Sequence, residues 1–218
     1  MTPIELAGYI DHTLLAPEAT SLDIARLCKE AGEFNVAAVC ISPSLLPLAQ
    51  GLLPANIAIA CVVGFPSGAH DSSVKAFEAA RAVDNGATEI DMVVNLGYAF
   101  ADKWLELGEE IGAVRAALPS RHVLKVIIES AALTDEQIVI SCRVAVANGA
   151  NFVKTSTGFH KSGGASLHAV ELMRATVGDS IGVKASGGIR TRQTALTMIS
   201  AGATRLGTSA TREILADQ

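Results

Sequence analysis

The chain has 218 residues, of which half are hydrophobic, 18% are charged and 4% are aromatic. The formal net charge is −5 and no basic cluster is present, which argues against nucleic acid as a partner. The longest apolar run, Ile57–Val63, is too short to cross a bilayer, and the N-terminus lacks a signal-peptide pattern. With four widely spaced cysteines that fit reduced thiols, the sequence predicts a cytoplasmic protein without a membrane segment.

Short apolar runs alternate along the chain with longer amphipathic segments. Two helices are predicted to begin at capping boxes, "TSLD" at 20–23 and "TDEQ" at 134–137. Three helices are predicted to end at a glycine just before a strand, at Gly86, Gly149 and Gly202. The predicted strands, in chain order, are Tyr9–Leu14, Val36–Ile41, Ile57–Val63, Thr88–Asn95, Val123–Ile128, Asn151–Thr155, Ile181–Ala185 and Thr204–Gly207.

This alternation of strands and helices predicts a single (β/α)8 TIM barrel with parallel strands, built as one domain over residues 1–218. A doubly wound open sheet is the competing fold. The first β/α turn, after Leu14, has no G-x-G-x-x-G pattern, which argues against dinucleotide binding.

Two predicted strands end in a lysine that is followed by small residues, in "NFVKTSTGFH" at 151–160 and "IGVKASGGIR" at 181–190. Alternation along each strand predicts that Lys154 and Lys184 point into the barrel, near its catalytic end. Desolvation and a second nearby ammonium group both lower the pKa of a lysine, and an amine activated in this way forms Schiff bases with carbonyls. The alternative interpretation is a pair of lysines whose ammonium groups extend to solvent.

Acidic residues on two other strands could serve the same pocket. Glu89 and Asp91 share one face of the fourth strand, and Asp91 is predicted to be a carboxylate that moves protons beside the lysines. A purely structural pairing of Asp91 with a lysine is the alternative. Asp11 and Thr13 share a face of the first strand, where Thr13 could orient a water molecule or a substrate hydroxyl.

Lys125 and Glu129 are predicted to share the inward face of the fifth strand and to form a buried pair below the site. The five histidines show no metal-binding spacing, so no metal site is expected.

Two turns rich in small residues predict a phosphate site. "SGGIR" at 186–190 follows the seventh predicted strand, and "GTSA" at 207–210 follows the eighth. Barrels often bind phosphate through the loops after these two strands, using exposed backbone N–H groups.

In this order, several of these segments resemble the deoxyribose-phosphate aldolases, a family of class I aldolases on a TIM barrel. The matching segments span residues 10–209 and are "IDHTLL", "AAVCI", "VVGFPSG", "EIDMVVN", "LKVIIE", "FVKTSTGF", "VKASGGIR" and "RLGTS". The resemblance implies reversible cleavage of 2-deoxy-D-ribose 5-phosphate to glyceraldehyde 3-phosphate and acetaldehyde, in deoxyribonucleoside catabolism. It also implies a homodimer or homotetramer, with no metal or organic cofactor.

The resemblance assigns roles to residues of this chain. Lys154 would form the Schiff base, Lys184 would lower its pKa and share in proton transfer, and Asp91 would be the acid/base carboxylate. The supporting residues on the first two strands would be Asp11, Thr13 and Cys40. The phosphate-binding residues would be Gly187, Gly188, Gly207, Thr208 and Ser209.

At two points the chain departs from a pattern that some family members show. Those members end in a tyrosine that assists protonation of the enamine, whereas this sequence ends in "EILADQ", so another group such as water would serve. Some members also place a phosphate-contacting lysine directly after "KTSTG", where this chain has Phe159 and Lys161 is the candidate substitute.

Three alternatives remain open from the residues alone. The same lysine could serve another Schiff-base aldolase or a transaldolase. The lysines could instead only bind anions, in an isomerase-like barrel that forms no covalent adduct. The third alternative is a non-catalytic binding protein.

Overall fold

Eight parallel strands close into a barrel in which each strand pairs with the next along the chain and β8 pairs with β1. The structure is a computed structural model that describes residues 1–216. Closure excludes the open doubly wound sheet and confirms the predicted (β/α)8 fold. The strands are β1 (Ile10–Leu14), β2 (Ala38–Ile41), β3 (Ala58–Val63), β4 (Glu89–Val93), β5 (Val123–Ile127), β6 (Phe152–Lys154), β7 (Gly182–Ser186) and β8 (Arg205–Thr208).

Helices follow the strands and cover the outside of the barrel. Both predicted capping boxes are present, since the hydroxyls of Thr20 and Thr134 accept from backbone N–H groups of the first helical turn. The helices are α1 (Pro3–Ala7), α2 (Ser21–Phe34), α3 (Ser72–Asp84), α4 (Leu96–Phe100), α5 (Trp104–Ala116), α6 (Asp135–Ala147), α7 (Leu167–Val177), α8 (Arg192–Ser200) and α9 (Thr211–Leu215). Short 3-10 turns lie at Pro43–Leu45 and Ser130–Ala132.

The end of the fourth strand differs from the sequence prediction for a visible reason. The fourth strand was predicted to run to Asn95, but it ends at Val93 because the Asn95 side chain accepts from Gly97 N at 2.9 Å and begins α4. The glycines at 86, 149 and 202 have φ values of +101°, +87° and +108°, as their predicted position at helix ends requires.

The two faces of the strands have different chemistry. The outward face packs the helices with apolar side chains, for example Val39, Ile90 and Val153, in one large buried core. The inward face carries charged side chains that contact one another across the barrel axis. Alternation along each strand therefore delivers apolar residues to the helices and ionisable residues to the interior.

Candidate active site

Lys154, the last residue of β6, lies inside the barrel below a cavity that opens at the carboxyl ends of the strands. The residue is only 3% exposed, and its ammonium nitrogen is 2.8 Å from Asp91 Oδ2. Lys154 and Lys184 occupy the same register position on neighbouring strands. The structure thus places both predicted lysines on the inward face, and neither extends to solvent.

Asp91 bridges the two lysines. Its Oδ2 atom also accepts from Lys184 Nζ at 2.7 Å, and its Oδ1 atom accepts from Lys125 Nζ at 2.9 Å. Lys184 in addition pairs with Asp11. The predicted residues Lys154, Lys184, Asp91 and Asp11 are therefore brought together in one buried network.

Further charged groups lie toward the amino-terminal ends of the strands, at the foot of the barrel. Lys125 pairs with Glu89 and lies 3.3 Å from Asp11 Oδ2. Arg205 donates to Asp11 Oδ1 at 2.6 Å and lies 3.5 Å from Glu89 Oε2. Sequence reasoning missed Arg205, although the alternation that selects the lysines also puts Arg205 and Gly207 on one face of β8.

The interior network holds one more cationic side chain than carboxylates. The four cations are Lys125, Lys154, Lys184 and Arg205, and the three carboxylates are Asp11, Glu89 and Asp91. Burial of an unbalanced charge is costly, so the network favours loss of one proton.

Of the three lysines in this network, Lys154 is the one whose pKa is lowered, whereas the pKa values of Lys125 and Lys184 are raised. Burial lowers the pKa of Lys154 and the Lys184 ammonium lowers it further, against the attraction of Asp91. Burial also opposes the charged form of Lys184, but Asp11 and Asp91 outweigh it and raise the Lys184 pKa. Burial likewise opposes ionisation of Asp91, yet the three lysines hold the Asp91 pKa well below its ordinary value.

The predicted pair between Lys125 and Glu129 is wrong. Strand β5 ends at Ile127, and Glu129 has φ +54°, so the alternation that would have turned its side chain inward stops before it. The Glu129 carboxylate instead accepts from the Thr157 hydroxyl at 2.6 Å and from Thr157 N at 3.1 Å. Glu129 therefore holds the "KTSTG" turn that follows Lys154.

A cavity of about 480 Å³ lies above Lys154. The predicted phosphate residues all line it, namely Gly187, Gly188, Gly207, Thr208 and Ser209. Gly187 has φ +86°, and a Cβ there would lie 2.9 Å from Gly164 Cα, so only glycine fits this close approach of two loops. The Thr208 hydroxyl donates to Ile189 O at 2.7 Å, which ties the two predicted phosphate loops together.

The remaining predicted residues lie around this centre. Thr13 lines the cavity, and its hydroxyl donates to Asp11 O at 2.8 Å. Cys40 Sγ lies 3.9 Å from Asp91 Oδ2, and burial raises the pKa of the Cys40 thiol. Phe159 lines the cavity mouth and packs edge-on against Phe65. Lys161 is exposed and is not among the residues of the described chain that line the cavity.

Histidines contribute little to this centre. His12 is buried on the outward face of β1, where it contacts Glu30 at 3.1 Å and Thr211 at 2.8 Å. Among residues 1–216, no three His, Cys, Asp or Glu side chains are grouped as ligands for a metal ion. Of the "EILADQ" segment that departs from some relatives, residues 217 and 218 lie outside the described residues.

A closed barrel with a buried lysine of lowered pKa beneath an open cavity is the arrangement of enzymes that activate carbonyl compounds with an amine. The family model described as "DeoC/LacD family aldolase" matches residues 6–217. The class defined here is therefore that of the barrel aldolases.

Individual relatives narrow the assignment. The deoxyribose-phosphate aldolase of Kocuria rhizophila is 59% identical, over 99% of this chain and 97% of that protein. That of Corynebacterium diphtheriae is 56% identical, over 97% of this chain and 95% of that protein. The chain belongs to the deoxyribose-phosphate aldolase family.

Solved structures agree with the fold and the family. The tetrameric deoxyribose phosphate aldolase of Aeropyrum pernix superposes with a TM-score of 0.89 at 32% identity, covering 98% of this chain and 91% of that one. QR15, an aldolase, gives a TM-score of 0.89 at 36% identity, covering 97% and 95% of the two chains. Within residues 1–216, every helix is too short or too polar to span a membrane.

Proposed function

We propose that this protein reversibly cleaves 2-deoxy-D-ribose 5-phosphate to D-glyceraldehyde 3-phosphate and acetaldehyde through a Schiff base on Lys154. One observation carries the proposal, namely that Lys154 is the buried amine of lowered pKa at the floor of the cavity. Relatives of more than 50% identity that are named for deoxyribose phosphate support the substrate.

The reaction begins with the neutral amine of Lys154. Its lone pair attacks the C1 aldehyde of the open-chain sugar, and uptake of a proton with loss of water leaves a protonated imine. Asp91 and Lys184, together with a water molecule, remove the proton of the C3 hydroxyl. The C2–C3 bond then breaks, its electron pair moves into the imine to form an enamine, and glyceraldehyde 3-phosphate leaves.

The second half of the reaction frees the amine. Protonation of the enamine at C2 restores a protonated imine, and water hydrolyses it to release acetaldehyde, a proton and neutral Lys154. The charges of the barrel interior favour these reaction steps. Bond cleavage converts a cationic imine into a neutral enamine, and the surrounding side chains carry an excess of cations. The proposed reaction needs no metal or organic cofactor.

The cavity supports a phosphorylated substrate. Gly187 and Gly188 have positive φ values, so their loop can present backbone N–H groups without side chains in the way. We assign phosphate binding to this loop and to Gly207, Thr208 and Ser209, which line the cavity with it.

Supporting positions complete the assignment. Asp11 fixes Lys184, Thr13 faces the substrate, and Cys40 contacts Asp91.

The proposed setting is deoxyribonucleoside catabolism in the cytoplasm. All four cysteines are free thiols, which fits a reducing compartment. We also propose a homodimer or homotetramer. Exposed apolar side chains on the packed helices α3, α4 and α5 support association, and a relative in the family is a tetramer. Light scattering after size-exclusion chromatography would test the assembly.

The decisive experiment is borohydride trapping with acetaldehyde, followed by peptide mass mapping. We expect a stable ethyl adduct on Lys154 in the wild type and none at this position in Lys154→Met. Lys161→Met is the matched control, because this exposed lysine lies seven positions along the same segment and should leave trapping unchanged.

The outcomes separate the alternatives. An adduct confined to surface lysines would reject the Schiff-base mechanism and leave an anion-binding barrel. An adduct on Lys154 without cleavage of 2-deoxy-D-ribose 5-phosphate would keep the mechanism and reject the substrate. Cleavage of the phosphorylated sugar far faster than of 2-deoxy-D-ribose would support the phosphate site.

A further inference from the structure

Two oppositely charged side chains close the foot of the barrel, opposite the cavity. Arg205 is the first residue of β8 and Glu89 the first residue of β4. The Arg205 guanidinium lies 5.6 Å from the centre of the Phe152 ring, donates to Asp11 Oδ1 at 2.6 Å and lies 3.5 Å from Glu89 Oε2. The proposed reaction assigns neither Arg205 nor Glu89 a step.

Arg205 reaches Lys154 only through intermediate groups. In the described chain, its ion pairs are with Asp11 and Glu89, while that of Lys154 is with Asp91. Asp11 binds Lys184, and Lys184 binds Asp91. A continuous chain of ion pairs therefore joins the foot of the barrel to the amine below the cavity.

Arg205 is also the cation that unbalances the interior. With it, the network has four cations against three carboxylates, and without it the two kinds of group are equal in number. A guanidinium keeps its proton at any physiological pH, so any proton that the network gives up must come from a lysine.

The geometry decides which lysine gives up its proton. Lys125 pairs with three carboxylates and Lys184 pairs with two, whereas Lys154 pairs with one and lines the cavity. The excess positive charge therefore disfavours the protonated form of Lys154 most, because Lys154 has the fewest carboxylate partners of the three lysines.

We propose that Arg205 is a positioning residue that keeps Lys154 neutral by giving the barrel interior one cation more than its carboxylates balance. The inference rests on the proposed Schiff-base function. In the described part of the chain, the ionisable groups of the network around Lys154 come from all other strands except β3, and they are Asp11, Cys40, Glu89, Asp91, Lys125, Lys184 and Arg205. Cys40 adds no charge near neutral pH, because burial raises the pKa of its thiol.

The test measures the rate of reductive trapping of acetaldehyde on Lys154 as a function of pH. Arg205→Met keeps much of the side-chain length but removes the charge, so we expect the midpoint of the profile to move to higher pH. Well below the midpoint, each pH unit of that shift slows trapping about tenfold. Arg205→Lys retains the charge and should keep the midpoint close to that of the wild type.

Glu89→Gln gives the opposite perturbation at the same place. It removes a carboxylate that contacts Arg205 and Lys125, so we expect the midpoint to move to lower pH. A purely structural role of these residues would change the amount of folded protein or the plateau rate, and it would not move the midpoint in opposite directions for the two variants.

The outcomes are distinct. If Arg205→Met traps acetaldehyde with the wild-type midpoint, the inference is overturned while the Schiff base stands. If Arg205→Met does not fold, Glu89→Gln decides, because a downward shift supports the inference and an unchanged midpoint overturns it. If the wild type itself forms no adduct on Lys154, the proposed function fails and the inference fails with it.

Discussion

Replacing Lys75 by methionine should destabilise the protein strongly, because this lysine is part of a fully buried ion pair outside the barrel interior. Lys75 on α3 and Glu110 on α5 are both completely buried, with Nζ 2.5 Å from Oε1. Lys75 Nζ also donates to Gly68 O and Val93 O. The remaining Glu110 oxygen accepts from Asn95 N at 2.9 Å.

The expected magnitude follows from what the substitution leaves behind. Lys75→Met leaves a buried carboxylate with one donor and two backbone carbonyls that lose their ammonium donor. Removing one partner of a buried ion pair costs about 3–5 kcal/mol. For a protein of this size, that loss corresponds to a decrease in Tm of about 6–20 °C.

Urea denaturation and calorimetry would measure the effect. The double variant Lys75→Met/Glu110→Gln also removes the unpaired carboxylate charge, and the glutamine side-chain oxygen can still accept from Asn95 N. We therefore expect its free energy of unfolding to exceed that of Lys75→Met by about 0.5–3 kcal/mol. Lys29→Met is the control, since the exposed pair of Lys29 with Glu33 should contribute little. A double variant no more stable than Lys75→Met would refute the reasoning.

The loss of stability in Lys75→Met should also depend on pH. Burial raises the pKa of Glu110 even with Lys75 opposing it, and loss of Lys75 raises it further. The folded variant then holds a proton that the unfolded chain releases near pH 4.3. Its stability should therefore decrease as the pH rises from that value through the folded-state pKa, relative to the wild type.

Three further substitutions test other parts of the structure. Gly187→Ala should raise KM for the phosphorylated sugar more than Gly188→Ala in steady-state kinetics, because both positions have positive φ but a Cβ at 188 meets open space; equal effects would contradict this. Glu129→Gln should lower the free energy of unfolding, measured by urea denaturation, by about 1–3 kcal/mol, since it weakens the buried carboxylate contact to Thr157. A urea midpoint equal to that of the wild type would show that this contact does not contribute to stability. Thr20→Ala should cost about 1 kcal/mol in the same measurement through loss of its capping box, and no loss would mean that solvent replaces the cap.

The barrel and the inward position of the lysines were predictable because both depend on local patterns. Neighbouring residues alone indicate the two-residue alternation of strands, the capping boxes and the glycines that end helices. Strand ends were less predictable, since a side chain such as Asn95 can end a strand by beginning a helix.

Other features depend on contacts between residues far apart in the sequence. The position of Arg205 in the charge network depends on its contact with Asp11, 194 positions away. In the sequence, Lys75 and Glu110 look like two exposed helix charges, although they form a buried ion pair. The prediction for Glu129 was wrong because its backbone is left-handed and its carboxylate contacts Thr157, and neither feature follows from the neighbouring residues. Contacts between such distant residues cannot be predicted from local sequence patterns and become visible only in the folded structure.

The pairing of β1 with β8 has a consequence for how the protein is made. Ribosomes release the chain from its amino terminus, so β1 emerges first and must wait for its neighbour β8, which begins at Arg205. Until then, the backbone groups that later join Tyr9 O to Leu206 N remain unpaired, and the growing sheet has two open edges. Closure of the barrel is thus a late event that joins distant parts of the chain, and until it occurs the open sheet edges can pair with other chains or bind chaperones.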